Sequence, residues 1–210
     1  MTITHHPSDE TLAAFAAGTL GEARSIVVAA HVSLCSKCRA TIHTFEQIGG
    51  SMIERTEPTP LRAEALEAAL SRLDSNFATA PSSLLPKPDY PDVLSPYAIG
   101  PWRWIGPGLY WRKADVHSED DTRVFMLKAA PGTMLPQHRH AGIEWTCVLE
   151  GAFRHEFGRY GPGDFDEADE NVEHRPFVER GATCICLVAL RGKLELQGWI
   201  GRLLQPFVRL

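Results

Sequence analysis

No stretch of this 210-residue chain is apolar enough to cross a membrane: the longest apolar run, Cys184 to Leu190, spans seven residues, against the roughly 18 a spanning helix requires. The opening MTITHHPSDE has neither the basic nor the apolar region of a secretory leader, so the expected location is the cytoplasm. Basic residues are in deficit, 21 Lys+Arg against 26 Asp+Glu for a net charge of −5, and no stretch concentrates them. That excludes direct nucleic-acid binding, which needs a basic footprint. Cysteine is sparse. Five in a chain without an export signal point away from a disulfide framework and towards metal, redox chemistry or burial.

The rest has the composition of a globular protein, and it changes character along its length. Residues 1–75 read as four short helices. Ser8 can cap the first, which carries Leu12, Phe15 and Ala16 and stops at Gly18. The second runs from Glu22 to Ala30 and the third from Ser36 to Ile48, where Gly49 and Gly50 are expected to break it. Pro60 opens the fourth, with Leu61, Ala65, Leu66, Ala69, Leu70 and Leu73 on one face. So small a helical unit needs a metal, a disulfide or a partner to hold it together. Residues 76–101, with Pro81, Pro86, Pro88, Pro91, Pro96 and Pro101, read as a linker that separates the helical unit from the C-terminal half. Residues 102–195 alternate in the manner of short strands, VFMLKAA, EWTCVLEGAF and TCICLVAL among them, punctuated by Pro131-Gly132 and Gly161-Pro162-Gly163. This predicts an all-β sandwich or barrel, with a tail over 196–210. The fold class expected is α+β as two domains.

Two sets of residues carry metal chemistry. His31-x3-Cys35-x2-Cys38 puts two thiolates at adjacent corners of a tetrahedral zinc site, with His31 at the end of one helix and the cysteines at the start of the next. A closed site needs a fourth ligand, for which His6 is the best candidate and His5 the fallback. In the β-rich half, His138 and His140 are two apart on a strand and share a face. Glu144 and His174 can converge with them on one cation. Three imidazoles and a carboxylate suit zinc, iron, manganese or nickel.

Gly132-x5-His138-x-His140-x3-Glu144-x6-Gly151, with Pro162-Gly163-Asp164 and His174 after it, resembles the paired motifs of cupins, whose fold is a double-stranded β-helix or jelly roll. His6-x24-His31-x3-Cys35-x2-Cys38 is similar to the pattern of zinc-binding anti-sigma domains. Together with the opening MTI-x-HH-x-SD, the Cys184-Ile185-Cys186-Leu187 string and Gln205-Pro206-Phe207, the chain resembles ChrR-type anti-sigma factors. That resemblance implies a negative regulator of transcription, not an enzyme. It would sequester a sigma-E-like, extracytoplasmic-function sigma factor and release it under singlet oxygen or photooxidative stress. It also implies two zinc ions per chain, one on His6, His31, Cys35 and Cys38 and one on His138, His140, Glu144 and His174, and it allows self-association through the cupin. The competing reading is a metal-dependent cupin enzyme, an oxygenase or isomerase, with a fused regulatory domain.

Other residues are assigned no function. Cys184 and Cys186 are expected to be buried, and Cys147 lies on another strand where it can meet either. Asp164 to Glu173, rich in carboxylates, reads as a solvated loop. His43, His117 and His155 lack ligand-spaced companions and are expected to be surface or hydrogen-bonded histidines, and Trp102, Trp104, Trp111 and Trp145 are explained by aromatic packing.

Overall fold

A computed structural model describes residues 2–73, 90–118 and 120–196. The chain starts with four helices, α1 (Asp9–Ala16), α2 (Glu22–Leu34), α3 (Ser36–Glu54) and α4 (Ala65–Leu73). Ser8 caps α1 by accepting a hydrogen bond from the Thr11 N–H at 3.2 Å, and Gly18 ends the segment at φ +68°. Helix α2 runs past His31 to Leu34. Helix α3 passes straight through Gly49 and Gly50, the expected break. Neither glycine has a neighbour within 4 Å of its would-be Cβ, and their helical cost of about 1 kcal/mol each is carried by an otherwise continuous 19-residue helix. Helix α4 starts at Ala65, later than Pro60, and has no buried residue.

Twelve strands complete the described chain: β1 (Arg103–Gly106), β2 (Leu109–Ala114), β3 (Arg123–Ala129), β4 (His138–His140), β5 (Glu144–Glu150), β6 (Phe153–His155), β7 (Gly158–Tyr160), β8 (Phe165–Ala168), β9 (Glu173–His174), β10 (Phe177–Val178), β11 (Cys184–Leu190) and β12 (Leu194–Leu196). They form a six-stranded antiparallel sheet in the order β1-β2-β3-β11-β5-β8 and two small sheets, β10-β6-β7 and β12-β4-β9. This is the helical unit plus β-rich domain anticipated from the sequence. No helix among the described residues is long and apolar enough to cross a membrane.

The central strand β11 explains why the longest apolar run lies where it does. Cys184, Cys186, Val188 and Leu190 face the barrel interior with Phe125, Val148 and Phe153. Leu187 and Ala189 point the other way, into a cluster with Cys147, Trp145 and Phe165. A strand covered on both sides has no face left for polar residues, so alternation gives way to a continuous apolar run.

Helix α2 covers the outer face. Its buried residues Ala23, Ile26, Val27, Ala30 and His31 fall at the i, i+3, i+4, i+7, i+8 positions of one stripe, and the apolar ones join the sheet's outer residues in a single core. Val27 and Val28 are fully buried. At about 1.5–3 kcal/mol per large aliphatic side chain buried, Ile26, Val27 and Val28 bind the helical unit to the sheet too firmly for it to swing freely, contrary to the separation expected of a linker. Residues 76–89 of that linker and 197–210 of the tail lie outside the described residues. The stretch 90–101 is packed: Leu94 is fully buried, and the Tyr97 hydroxyl donates to Glu22 at 2.6 Å.

The N-terminal arm docks as well. Phe165 N–H donates to the His5 carbonyl at 3.1 Å, and the Asp164 carboxylate accepts from Thr4 N–H and His5 N–H at 2.6 and 2.9 Å. Gly163 is required here twice over. Its φ is +89°, and a Cβ would sit 2.6 Å from Ile3 Cδ1. Gly181, at φ +117°, has nothing within 4 Å, so alanine there meets only the backbone cost of its positive φ, about 1–3 kcal/mol. Gly163→Ala should therefore lower thermal stability clearly more than Gly181→Ala. Equal losses in parallel melts would mean that Ile3 does not rest on this turn in solution.

Candidate metal centres

The first centre is assembled from three places in the chain. The arm supplies His6, the end of α2 supplies His31, and the first turn of α3 supplies Cys35 and Cys38. Their donor atoms all lie within 4.8 Å of one another. His6 Nδ1 stands 3.5 Å from Cys35 Sγ and 3.4 Å from Cys38 Sγ, and His31 Nε2 is 3.2 Å from Cys38 Sγ. Cys35 occupies the N-cap position of α3, its sulfur accepting from the Cys38 N–H at 3.5 Å. Burial raises the Cys38 thiol to about 12 and the neighbouring Cys35 sulfur adds to it, while burial lowers the proton affinity of His6 and His31. Neutral imidazoles beside two buried thiols form a donor set from which a divalent cation would displace the thiol protons. His5, the fallback ligand, turns away, its ring packing on Tyr160 at 4.2 Å.

His31 is oriented from outside the helical unit. Its Nδ1 donates to the Gly163 carbonyl at 2.7 Å, which fixes the tautomer and leaves the Nε2 lone pair facing the cysteines. Nothing in the sequence signals this contact, because the partner is a backbone atom 132 residues away.

The second centre lies inside the barrel. His138 and His140 on β4 face inward and Arg139 between them faces out, and β9 brings His174 opposite His138. His174 Nε2 is 3.0 Å from His138 Nε2 and 3.2 Å from His140 Nε2. Ligands at about 2.0 Å from a tetrahedral zinc are spaced about 3.3 Å apart, close to these distances. His138 Nδ1 donates to the Pro136 carbonyl at 2.8 Å, so its Nε2 carries a lone pair. Burial keeps all three rings neutral, moving His140 down to about 4 and His174 to about 3. Three neutral imidazoles whose Nε2 atoms converge are a donor set that a cation could bind in common. Glu144 is not among the atoms that converge. It faces the same interior from β5, with Oε2 3.7 Å from His140 Nδ1 and Thr146 Oγ1 donating to Oε1 at 3.5 Å. Burial pushes its carboxyl up to about 7.

Three expectations are refined. Of the two settings expected for His155, surface or hydrogen-bonded, it takes the second: its side chain is fully buried, Nε2 donates to Asp166 at 3.0 Å, and its ring lies 4.9 Å from that of His174. A third group, His155, Asp166 and His174, thereby abuts the second centre. A period-two reading of Phe153-x-His155 would have placed this histidine inward. Second, the acidic segment is an exposed turn over residues 169–171 but not over its first half. It contains β8, and Glu167 accepts from Ser8 N–H and the Thr11 hydroxyl at 3.0 and 2.5 Å. Third, Cys147 cannot meet Cys184 or Cys186, because it packs beneath α2 while they lie inside the barrel with their sulfurs 3.7 Å apart. All three are buried.

Comparison with known proteins agrees with both halves. Residues 92–193 match the ChrR cupin-like domain. The chain is 40% identical to the anti-sigma-E factor ChrR of Cereibacter sphaeroides over 216 residues, covering all of both chains. Its structure is similar to that of the anti-sigma ChrR in the crystal structure of Rhodobacter sphaeroides SigE in complex with ChrR, with a TM-score of 0.74 at 39% identity over 90% of this chain and 99% of that one. A similarity that runs end to end, through the helical unit and the barrel alike, makes this chain a member of the ChrR family of anti-sigma factors.

Proposed function

We propose that the protein captures a sigma-E-like, extracytoplasmic-function sigma factor in the cytoplasm, keeps it from RNA polymerase, and releases it when singlet oxygen is present. The observation that carries this reading is the full-length likeness to an anti-sigma-E factor whose relative crystallises with SigE. The surface we assign to the sigma factor is the outer face of α3 and α4. Ile48 and Met52 lie one helical turn apart, as do Leu66 and Leu70, with Leu73 next, and all are exposed. Apolar side chains in register on two helices suit a partner groove. The protein acts by binding and does no chemistry of its own.

Zinc is the metal we assign to both centres, held by His6, His31, Cys35 and Cys38 in the first and by His138, His140, His174 and Glu144 in the second. In the first it ties the arm to α2 and α3 and thereby shapes the helical unit. In the second it supplies a Lewis-acidic, ligand-exchangeable centre. Loss or oxidation of a ligand there would be the event that separates bound from released states. A stimulus can shift such an equilibrium only through a site that interacts differently with the two.

Purified protein should carry two zinc ions by plasma emission spectrometry; iron or manganese in the barrel with oxygen consumption would favour the cupin enzyme instead. Cys35→Ala with Cys38→Ala should abolish capture of the sigma factor in a pull-down, and Met52→Asp with Leu70→Asp should weaken it at least about tenfold, the scale of losing two apolar contacts of about 1 kcal/mol or more each. Full capture by either pair would contradict the assignment. His138→Ala with Glu144→Ala should still capture the sigma factor yet fail to release it under photosensitised illumination, and a normal transcriptional response from that variant would remove the barrel from sensing.

A further inference from the structure

The two centres share a strand. Strand β8 and the turn before it present one face to each: the Gly163 carbonyl holds His31 Nδ1, the Phe165 ring lies 5.6 Å from the His31 ring, and Phe165 N–H holds the His5 carbonyl, one residue from His6. Asp164, 4% exposed, uses one carboxylate oxygen on Thr4 and His5 and the other on Gly161 N–H at 2.8 Å. On the face opposite Phe165, as the period of two requires, Asp166 accepts from His155, whose ring lies against His174 of the barrel centre. Gly163 and Asp166 are three residues apart, so a rigid strand cannot shift at one end without shifting at the other.

We propose that Asp164, Asp166 and His155 are positioning residues through which occupancy of the barrel centre sets the metal affinity of the cysteine centre. This rests on the assignment of a metal to each centre. With the barrel centre filled, His174 is held in place, His155 packs against it and keeps Asp166 and β8 in register, and the Gly163 carbonyl and Asp164 hold His31 and the arm in their ligating geometry. With the barrel centre empty, only tautomer-dependent Nε2 hydrogen bonds join the three imidazoles, His174 and the His155 ring against it are free to shift, and the strand relaxes away from His31. Coupling of this kind is reciprocal, each site changing the other's affinity by the same factor, and typical couplings lie between about 5-fold and 150-fold.

Cobalt distinguishes the centres, because only the first has sulfur ligands and gives a thiolate-to-cobalt charge-transfer band. In the full-length chain, competition with a chelator should give a cobalt dissociation constant at the cysteine centre about tenfold weaker when the barrel centre is empty than when it holds zinc. His155→Phe, which keeps a ring but loses the donor to Asp166, should weaken cobalt binding by a similar factor with the barrel centre filled. His155→Gln, which restores a donor, should recover most of it. A cobalt constant that is the same with the barrel filled or empty overturns the coupling even if the variants fail to fold. A folded His155→Phe chain with the wild-type constant removes His155 from it. Absence of any thiolate band would overturn the metal assignment itself, a separate failure.

Discussion

The contact on which the rest of the structure depends is the docking of the N-terminal arm and His31 on the Gly161–Asp164 turn. A buried carboxylate is costly unless its oxygens are satisfied. Burial alone would raise Asp164, yet the backbone N–H groups of Gly161, His5 and Thr4 outweigh it and hold the carboxyl below its usual range. Two of those three donors come from the arm that carries His6. The same turn offers its Gly163 carbonyl to His31. Two of the four side chains that converge at the cysteine centre, where a metal could be held, are therefore placed by the barrel, and the helical unit is complete only against it.

This arrangement accounts for features that are far apart in the sequence. The apolar run of β11 and the apolar stripe of α2 are two sides of one core. Gly163 is glycine because Ile3 lies where a Cβ would be. The carboxylates of the 164–167 segment are there to receive the arm and α1 on one side and His155 on the other. By contrast α4 has no buried residue among those described, and its apolar face is part of the surface we propose for the partner.

Both convergent groups are legible in the sequence because their spacings are local: three residues of the cysteine group span a helical corner, and His138 and His140 share a strand. The helices and the β-rich half are legible from periodicity for the same reason. The features that sequence reasoning misses are mostly long-range. The end of α3 is the local exception, misplaced because a glycine pair weakens a helix without breaking it when the flanking turns are sound. His155 stands alone in the sequence because its partners, Asp166 and His174, lie on other strands. The acidic segment reads as solvated because the groups that donate to it, backbone amides among them, lie at the other end of the chain. Of His5 and His6, it is His6 that converges with the cysteines and His31, while His5 packs on Tyr160.

The claim that the barrel completes the helical unit is tested most directly by amide hydrogen exchange on the full-length, metal-loaded protein, which reports local opening residue by residue. The account predicts that the Thr4 and His5 amides, bonded to Asp164, and the Phe165 amide, bonded to His5, are protected to a degree approaching that of β11. Free exchange at Thr4 and His5 beside a protected β11 would contradict it.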